Sequence, residues 1–417
     1  MKNYTIIRGE NKYSAFSGTQ LIAQMFKNLN LEEKISSVFK SPSSNRAYKP
    51  LIYIKSIVTG LLTGADCISD INRLKDDDTL KYIWEIEKIP HNSRIGSFLA
   101  KQDIRQIDGT HSLLQNIAIN TVKKSNLKEI TVGPDATFIE ANKQNLSKKC
   151  YKGFNAMQIL YGFVAETQSC IYSEFKEGNV SPASGLYEQL INVDKLLLRN
   201  GIKLKNYRAD AASYQANIIN YCLDKTFFIR AKNYGIDYSV IDKWEPLRDR
   251  YGTKIDGCEI GETVHAMENT ESFRLAVTRK KKKYNDPNLF GEYYYEYYAI
   301  ATNSDLSPNE AYNFYNLRGT CEYYIKTMKW DYSLRKLPTG SFNANAVWVN
   351  IAGLIYNVIK HFSLITGINR NLKSLRFLLF NTVGRIVNHS GRLLLKLYMS
   401  KKGFRNYNDI LSSLQKI

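Results

Sequence analysis

The chain has 417 residues and a formal net charge of +19, with basic residues spread along its whole length, a balance that points to a polyanionic partner, nucleic acid before membrane. The length leaves room for about two to four domains, and no uninterrupted apolar stretch is long enough to span a bilayer. The absence of a C-x-x-C pair, an H-E-x-x-H helix and a G-x-x-x-x-G-K-[ST] loop argues against a zinc site, a disulfide framework and ATP chemistry.

The opening segment, "MKNYTIIRGENKYSAF", lacks the apolar core of a signal peptide. The six scattered cysteines then read as reduced core thiols of a cytoplasmic protein. "SGTQLIAQMFKNLNLEEKISSVF" keeps helical spacing from Ser17, a candidate cap. "KPLIYIKSIVTGLLTG" and "GTHSLLQNIAINTVKKS" behave alike, and two short helices are expected on either side of Pro90.

From Ile130 the texture changes. "ITVGPDATFIEA" is short and β-branched, and "AMQILYGFVAETQSCIYSEFKEGN" holds two apolar runs split by "AETQS", a hairpin signal. An amphipathic helix follows in "SGLYEQLINVDKLLLRNG". Then come a strand ending in an acidic turn, "KNYRADAASY", a helix, "QANIINYCLDK", and a strand, "TFFIRAKN". This order predicts a mixed sheet with helices packed against it. Residues 235–303 read as a β-rich insertion containing the basic run "RKKKK". "NAVWVNIAGLIYNVIKHFSLITG" carries Asn350, Asn357, Lys360 and His361, so it reads as a buried helix and not a membrane span. The tail alternates apolar and basic residues and fits strand or helix equally. The expected organisation is a helical region over 1–125, a core in two parts over 126–234 and 304–367 interrupted by the insertion, and a basic tail over 368–417.

Three acids stand where such a fold would present them. Asp135 falls in the first strand, and Asp210 lies where the chain leaves the sheet, at a strand carboxyl end of the kind that lines ligand crevices. Glu322 sits in "YNLRGTCEYYIKTMK". On one continuous helix, Tyr315, Glu322 and Lys329 would align, with Arg318 about 40° away. Leu317, Cys321, Tyr324 and Met328 would form a neighbouring apolar stripe. An acid between cations beside the core suits a metal flanked by phosphates. A solvated face with an ordinary ion pair has the same spacing. Asp108, in "QIDGTHSLL", is an alternative to Asp135 but lies in a helical pattern with no hairpin close behind it; Glu140 could substitute but reads as solvent-facing or paired with a lysine, and Asp224 as part of a helix surface.

Taken together, these blocks resemble the DDE transposases of bacterial insertion sequences. Their Y-x2-R-x3-E-x6-K signature is matched by Tyr315, Arg318, Glu322 and Lys329, and "PDATFIEA", "RADAASY" and "FFIRAKN" resemble the blocks around the first two acids. The likeness covers about residues 130–365. It implies a ribonuclease-H-like α/β core with Asp135, Asp210 and Glu322 as catalytic metal ligands for two Mg²⁺ ions, for which Mn²⁺ can substitute. Tyr315, Arg318 and Lys329 would contact DNA near the cut. Trp244 could hold a flipped base or pack as a core tryptophan, and Lys281 and Lys282 could meet the DNA backbone or cap a solvated hairpin. The implied reaction is cutting at double-stranded terminal inverted repeats and joining to target DNA, by a homodimer on nucleoid DNA with no membrane attachment. A nuclease without strand transfer, or an inactive DNA-binding descendant, are the alternatives. Two departures stand out: "GPDAT" replaces the common D-x-D-x-T, putting Pro134 in a strand, and "ADAASY" lacks the usual glycine.

Overall fold

The computed structural model describes residue 7 and residues 12–42, 44, 47–141, 147–288 and 291–415. Apolar spacing folds the first part into helices α1 (Gln20–Asn28), α2 (Leu31–Val38), α3 (Pro50–Thr63), α4 (Asp78–Ile83), α5 (Asn92–Ala100) and α6 (Ile104–Lys124). The helical spacing that begins at Ser17 is divided between α1 and α2, because Asn30 adopts a left-handed φ of 54°. Ser17 opens a 3₁₀ turn without capping it. Short helices do flank Pro90, and Asp103 with Gln106 forms the capping box that starts α6. Asp108 is exposed on α6.

The strands and helices that follow are β1 (Glu129–Glu140), β2 (Lys148–Lys149), β3 (Asn155–Val164), β4 (Cys170–Glu177), α7 (Leu186–Arg199), β5 (Lys203–Ala209), α8 (Ala216–Tyr221) and β6 (Thr226–Arg230). They assemble in the spatial order β4-β3-β1-β5-β6, with β1, β5 and β6 parallel and β3 antiparallel to β1. This is the ribonuclease-H-like mixed sheet expected from the sequence. The next strands, β7 (Glu245–Arg248), β8 (Lys254–His265), β9 (Phe273–Asn288) and β10 (Gly291–Thr302), do not form a layer of their own. β10 pairs antiparallel with β6, from Ile300↔Arg230 to Thr302↔Phe228, and β9, β8 and β7 follow it outward. The β-rich segment therefore lengthens the core sheet edge to edge.

Three further helices, α9 (Pro308–Asn316), α10 (Gly319–Asp331) and α11 (Phe342–Thr366), return to the sheet. α6, α10 and α11 cover one face. α7 and α8 cover the other, where Leu190, Val193, Leu197 and Ile218 meet Tyr207, Ala209, Phe227 and Ile229. The first face shares one continuous apolar core with the N-terminal helices. The tail combines α12 (Leu372–Leu375), a π turn over Arg376–Phe380, a hairpin of β11 (Gly384–His389) and β12 (Arg392–Leu397), and α13 (Lys401–Gln415). It folds back onto the chain's beginning: Ser14 and Gly384 exchange backbone hydrogen bonds, each of 2.9 Å, and the Tyr407 hydroxyl lies 3.1 Å from Gln20 Oε1. Four cysteines are buried as expected, but Cys67 is exposed and Cys258 half-buried, so these two are not core thiols.

The asparagines of α11 explain why a polar residue belongs in a buried helix. Asn357 Oδ1 accepts from Cys170 N at 2.8 Å, and its Nδ2 donates to Cys170 O at 2.7 Å and Leu114 O at 2.9 Å. Asn350 Oδ1 accepts from Ser173 Oγ at 2.6 Å, and its Nδ2 donates to Ile107 O at 3.0 Å. Both side chains fasten α11 to β4 and α6. Asn357→Ala strands backbone groups inside the core, and urea unfolding should show a loss of about 3 kcal/mol.

Candidate active site

β1 passes through the middle of the sheet, and its ladder with β5 ends at Val132↔Tyr207. Beyond that point β1 pairs only with β3, including Pro134↔Gly162 and Asp135↔Tyr161. Pro134 thus falls where no β5 partner needs its missing N–H. Gly133 has its own cause: a Cβ there would lie 3.1 Å from the Arg208 carbonyl oxygen and 3.3 Å from Cys321 Sγ. A side chain at this position would press on both neighbours, and glycine lets α10 sit close against β1.

Asp210 follows the last residue of β5 and caps a one-turn 3₁₀ helix, its Oδ1 accepting from Ala212 N at 3.0 Å. This turn does the work expected of "ADAASY" without a glycine. Glu322 lies in the first turn of α10, largely exposed. Between the acids stands Arg318. Its Nη2 is 3.0 Å from Glu322 Oε1 and its Nη1 3.5 Å from Asp135 Oδ2. Asp210 joins the same electrostatic group: its charge acts on both Asp135 and Arg318. Burial, reinforced by the charges of Asp210 and Glu322, pushes the Asp135 carboxyl up to about 6 against the opposing pull of Arg318. For Arg318, burial favours the neutral form, but Tyr315 and the acids Asp135, Asp210 and Glu322 outweigh it and raise the pKa.

The expected single helix from Tyr315 to Lys329 is in fact two. Arg318 N bonds to Tyr315 O at 2.8 Å and Cys321 N to Arg318 O at 2.8 Å, both i→i+3 contacts that tighten the chain between α9 and α10. The straight line Tyr315–Glu322–Lys329 therefore does not exist. Tyr315 is buried in a cluster with Phe228, Ala276, Ile300 and Ala311, its ring 6.1 Å from that of Tyr298. It presents no face to a base and instead packs beneath the turn that carries Arg318. Lys329 is half-buried beside β1 and donates to the Phe138 carbonyl at 2.8 Å. Burial lowers its pKa, helped by Lys152 and opposed by Asp135.

The remaining expected DNA contacts stand apart from this group. Half-buried Trp244 donates to the Ile241 carbonyl at 3.1 Å and lies under the Arg279 guanidinium, 4.1 Å from its ring. Lys281 sits over Tyr293, and Lys282 approaches Glu296 at 3.6 Å. Glu140 is exposed, and Asp224 lies in the turn after α8, not on a helix, paired with Lys225 at 2.8 Å.

Sequence reasoning overlooked Arg208. Only 3 % exposed, it donates from Nη1 to the Phe314 carbonyl at 3.0 Å, in the last turn of α9, where a helix end favours a cation. A guanidinium on a buried strand two residues before Asp210 was the available signal. It ties β5 to the α9–α10 turn and so helps fix where Arg318 and Glu322 emerge.

Among the described residues, no three acids are grouped closely enough to hold a metal as they stand. The donor set is nonetheless the right kind, hard carboxylate oxygens gathered around one positive group, and here Arg318 supplies that charge.

Residues 7–417 match the transposase DDE domain group 1 model, and the chain belongs to that family. It is a transposase, and domains of this kind generally use divalent metal ions. No curated protein matches the chain. Among solved structures it is similar to the piggyBac transposase in a cryo-EM synaptic complex with hairpin DNA, with 11% identity, a TM-score of 0.44, and 96% of this chain and 80% of that one covered.

The raised pKa of Asp135 has a measurable consequence. A carboxyl whose folded value, about 6, exceeds its ordinary 3.8 contributes stability at low pH that is lost as pH rises through the folded value. At pH 7–8 the ionised, 13 % exposed side chain is therefore a burden in the metal-free protein. Asp135→Asn should stabilise the metal-free protein by about 1–3 kcal/mol at pH 8 and by almost nothing near pH 4, as followed by thermal unfolding across pH.

Proposed function

We propose that this transposase cuts DNA at the ends of an insertion sequence and joins those ends to target DNA, using Mg²⁺, with Mn²⁺ as a substitute. What supports this reading is the Arg318 guanidinium standing between Asp135 and Glu322, with the charge of Asp210 felt by both Asp135 and Arg318. In this reading the three carboxylates hold two divalent cations once Arg318 swings away from its bridging place. The cations, when bound, activate the attacking water or 3′-hydroxyl and stabilise the leaving oxygen. Arg318, released, is long enough to take a phosphate beside the scissile one, and its planar fork suits a two-pronged contact. Lys329, held against β1, adds positive charge along the same wall. Arg208 and Tyr315 position the turn from which Arg318 and Glu322 project.

In the same proposal, residues 1–125 and the tail over 368–417 grip the terminal repeats, 126–234 with 304–367 form the catalytic core, and 235–303 form its extension. The protein works as a homodimer on double-stranded DNA in the bacterial cytoplasm, because two ends must be processed together. The net charge of +19 supports broad phosphate contact.

Asp135→Asn, Asp210→Asn and Glu322→Gln should each reduce Mg²⁺-dependent nicking of a repeat-end duplex to background while gel-shift binding survives. Near-normal cutting by any one variant would remove that residue from the metal set. Joining of a labelled donor end to a plasmid separates transposition from simple nuclease action. End binding should fall by about a thousandfold or more between 50 and 200 mM salt if six or more phosphates are neutralised, and a flat response would contradict the DNA reading.

A further inference from the structure

The hairpin of β9 and β10 runs outward past the end of β6, and its register pairs tyrosines with cations. Tyr293 faces Lys283, Tyr294 faces Lys282, Tyr295 faces Lys281, Glu296 faces Lys280 and Tyr297 faces Arg279. Because side chains alternate along a strand, this register sorts them onto two unlike faces. One face carries Tyr293, Tyr295, Tyr297, Arg279, Lys281 and Lys283. The other carries Tyr294, Lys280, Lys282 and Glu296, with Lys282 and Glu296 3.6 Å apart. On the first face Glu259 accepts from Arg279 Nε at 2.7 Å. Lys281 and Lys283 therefore leave that face positive.

Its inner end is already filled. Tyr238 stacks on Tyr297 with ring centres 4.3 Å apart and planes 4° from parallel. Arg279 lies between Trp244, at 4.1 Å, and Tyr295, at 4.5 Å. The outer rings are partly exposed, Tyr293 47 % and Tyr295 40 %, and each has a cation at one face. Side chains two residues apart on a strand are separated by about 6.8 Å, about twice the 3.4 Å thickness of a stacked base. The Lys281 ammonium lies 4.5 Å from the centre of the Tyr293 ring, which places a cation beside a surface where a base could stack.

We propose that this face binds an unpaired single strand of DNA, with bases stacked on Tyr293 and Tyr295 and phosphates held by Lys281 and Lys283. The proposal rests on the DNA-processing reading above and adds an unpaired strand to the duplex DNA which that reading names. Duplex DNA buries its base faces in the helix and would use the lysines alone. An unpaired strand offers bases to the rings as well as charge to the cations. Trp244, half-buried and held by its N–H to the Ile241 carbonyl, forms the floor of the patch and is not its stacking surface.

The test uses the full-length protein in EDTA, so that binding is measured without cutting. Fluorescence anisotropy is read with labelled oligo-dT of about 15 nucleotides and with a duplex of equal length. Tyr293→Ala/Tyr295→Ala should weaken oligo-dT binding by about tenfold or more and change duplex binding less than twofold. Tyr293→Phe/Tyr295→Phe, which keeps the rings, should bind like wild type. Lys281→Glu/Lys283→Glu should weaken oligo-dT binding with the rings intact, and Lys282→Ala should have little effect. Equal losses on single strand and duplex would make this a backbone-contact surface and overturn the proposal, as would unchanged binding by the alanine pair or a phenylalanine pair as weak as the alanine one. Failure of the acid variants to abolish nicking would sink the catalytic reading while leaving this result standing, because that assay uses metal and a repeat-end duplex.

Discussion

Carboxylates brought near one another repel unless a proton or a positive charge lies among them. In this protein that charge is Arg318, 3.0 Å from Glu322 and 3.5 Å from Asp135, with Asp210 in electrostatic reach. The acids come from separate parts of the chain: a central strand, the end of its parallel neighbour, and a helix that follows the β-rich extension. Each is favourable alone in water, and their proximity is costly until a cation lies between them.

The surrounding structure serves to keep that guanidinium in position. Arg208 reaches from β5 to the carbonyl of Phe314. Tyr315 packs near Tyr298, whose other side lies under the Arg230 guanidinium at 4.1 Å. The i→i+3 bonds then turn the chain so that Arg318 and Glu322 project toward β1. Gly133 gives α10 its close approach, and Lys329 ties α10 to β1 beyond the acids. Below, α11 is fixed to β4 and α6 by Asn350 and Asn357, so the face under the site is anchored by hydrogen bonds as well as apolar packing.

Much of this was legible in residue type and order. The acids could be placed from strand ends and from the signature spacing, and the asparagines of α11 marked a buried helix in advance. What could not be read depended on distant partners. The turn at Leu317–Arg318 has no proline to announce it, and the burial of Tyr315 requires Tyr298 from a strand earlier in the chain. The pairing of β10 with β6 is likewise non-local, so the β-rich insertion was legible but its edge-to-edge continuation of the core sheet was not. The tail was ambiguous because its alternation suits a hairpin and a helix equally, and it contains both. Pro134 looked awkward only because its position beyond the β5 ladder could not be known.

The central claim is that Arg318 occupies, in the metal-free protein, the place a divalent cation takes during the reaction. The direct measurement is a Mn²⁺ titration followed by electron paramagnetic resonance of the free ion, without DNA, comparing wild type with Arg318→Gln. If the guanidinium competes for the carboxylates, its removal should tighten Mn²⁺ binding by about tenfold, the equivalent of one modest charge interaction. Unchanged or weaker Mn²⁺ binding in Arg318→Gln would show that Arg318 is an ordinary ion-pair partner and that the cation, if it binds, does so elsewhere.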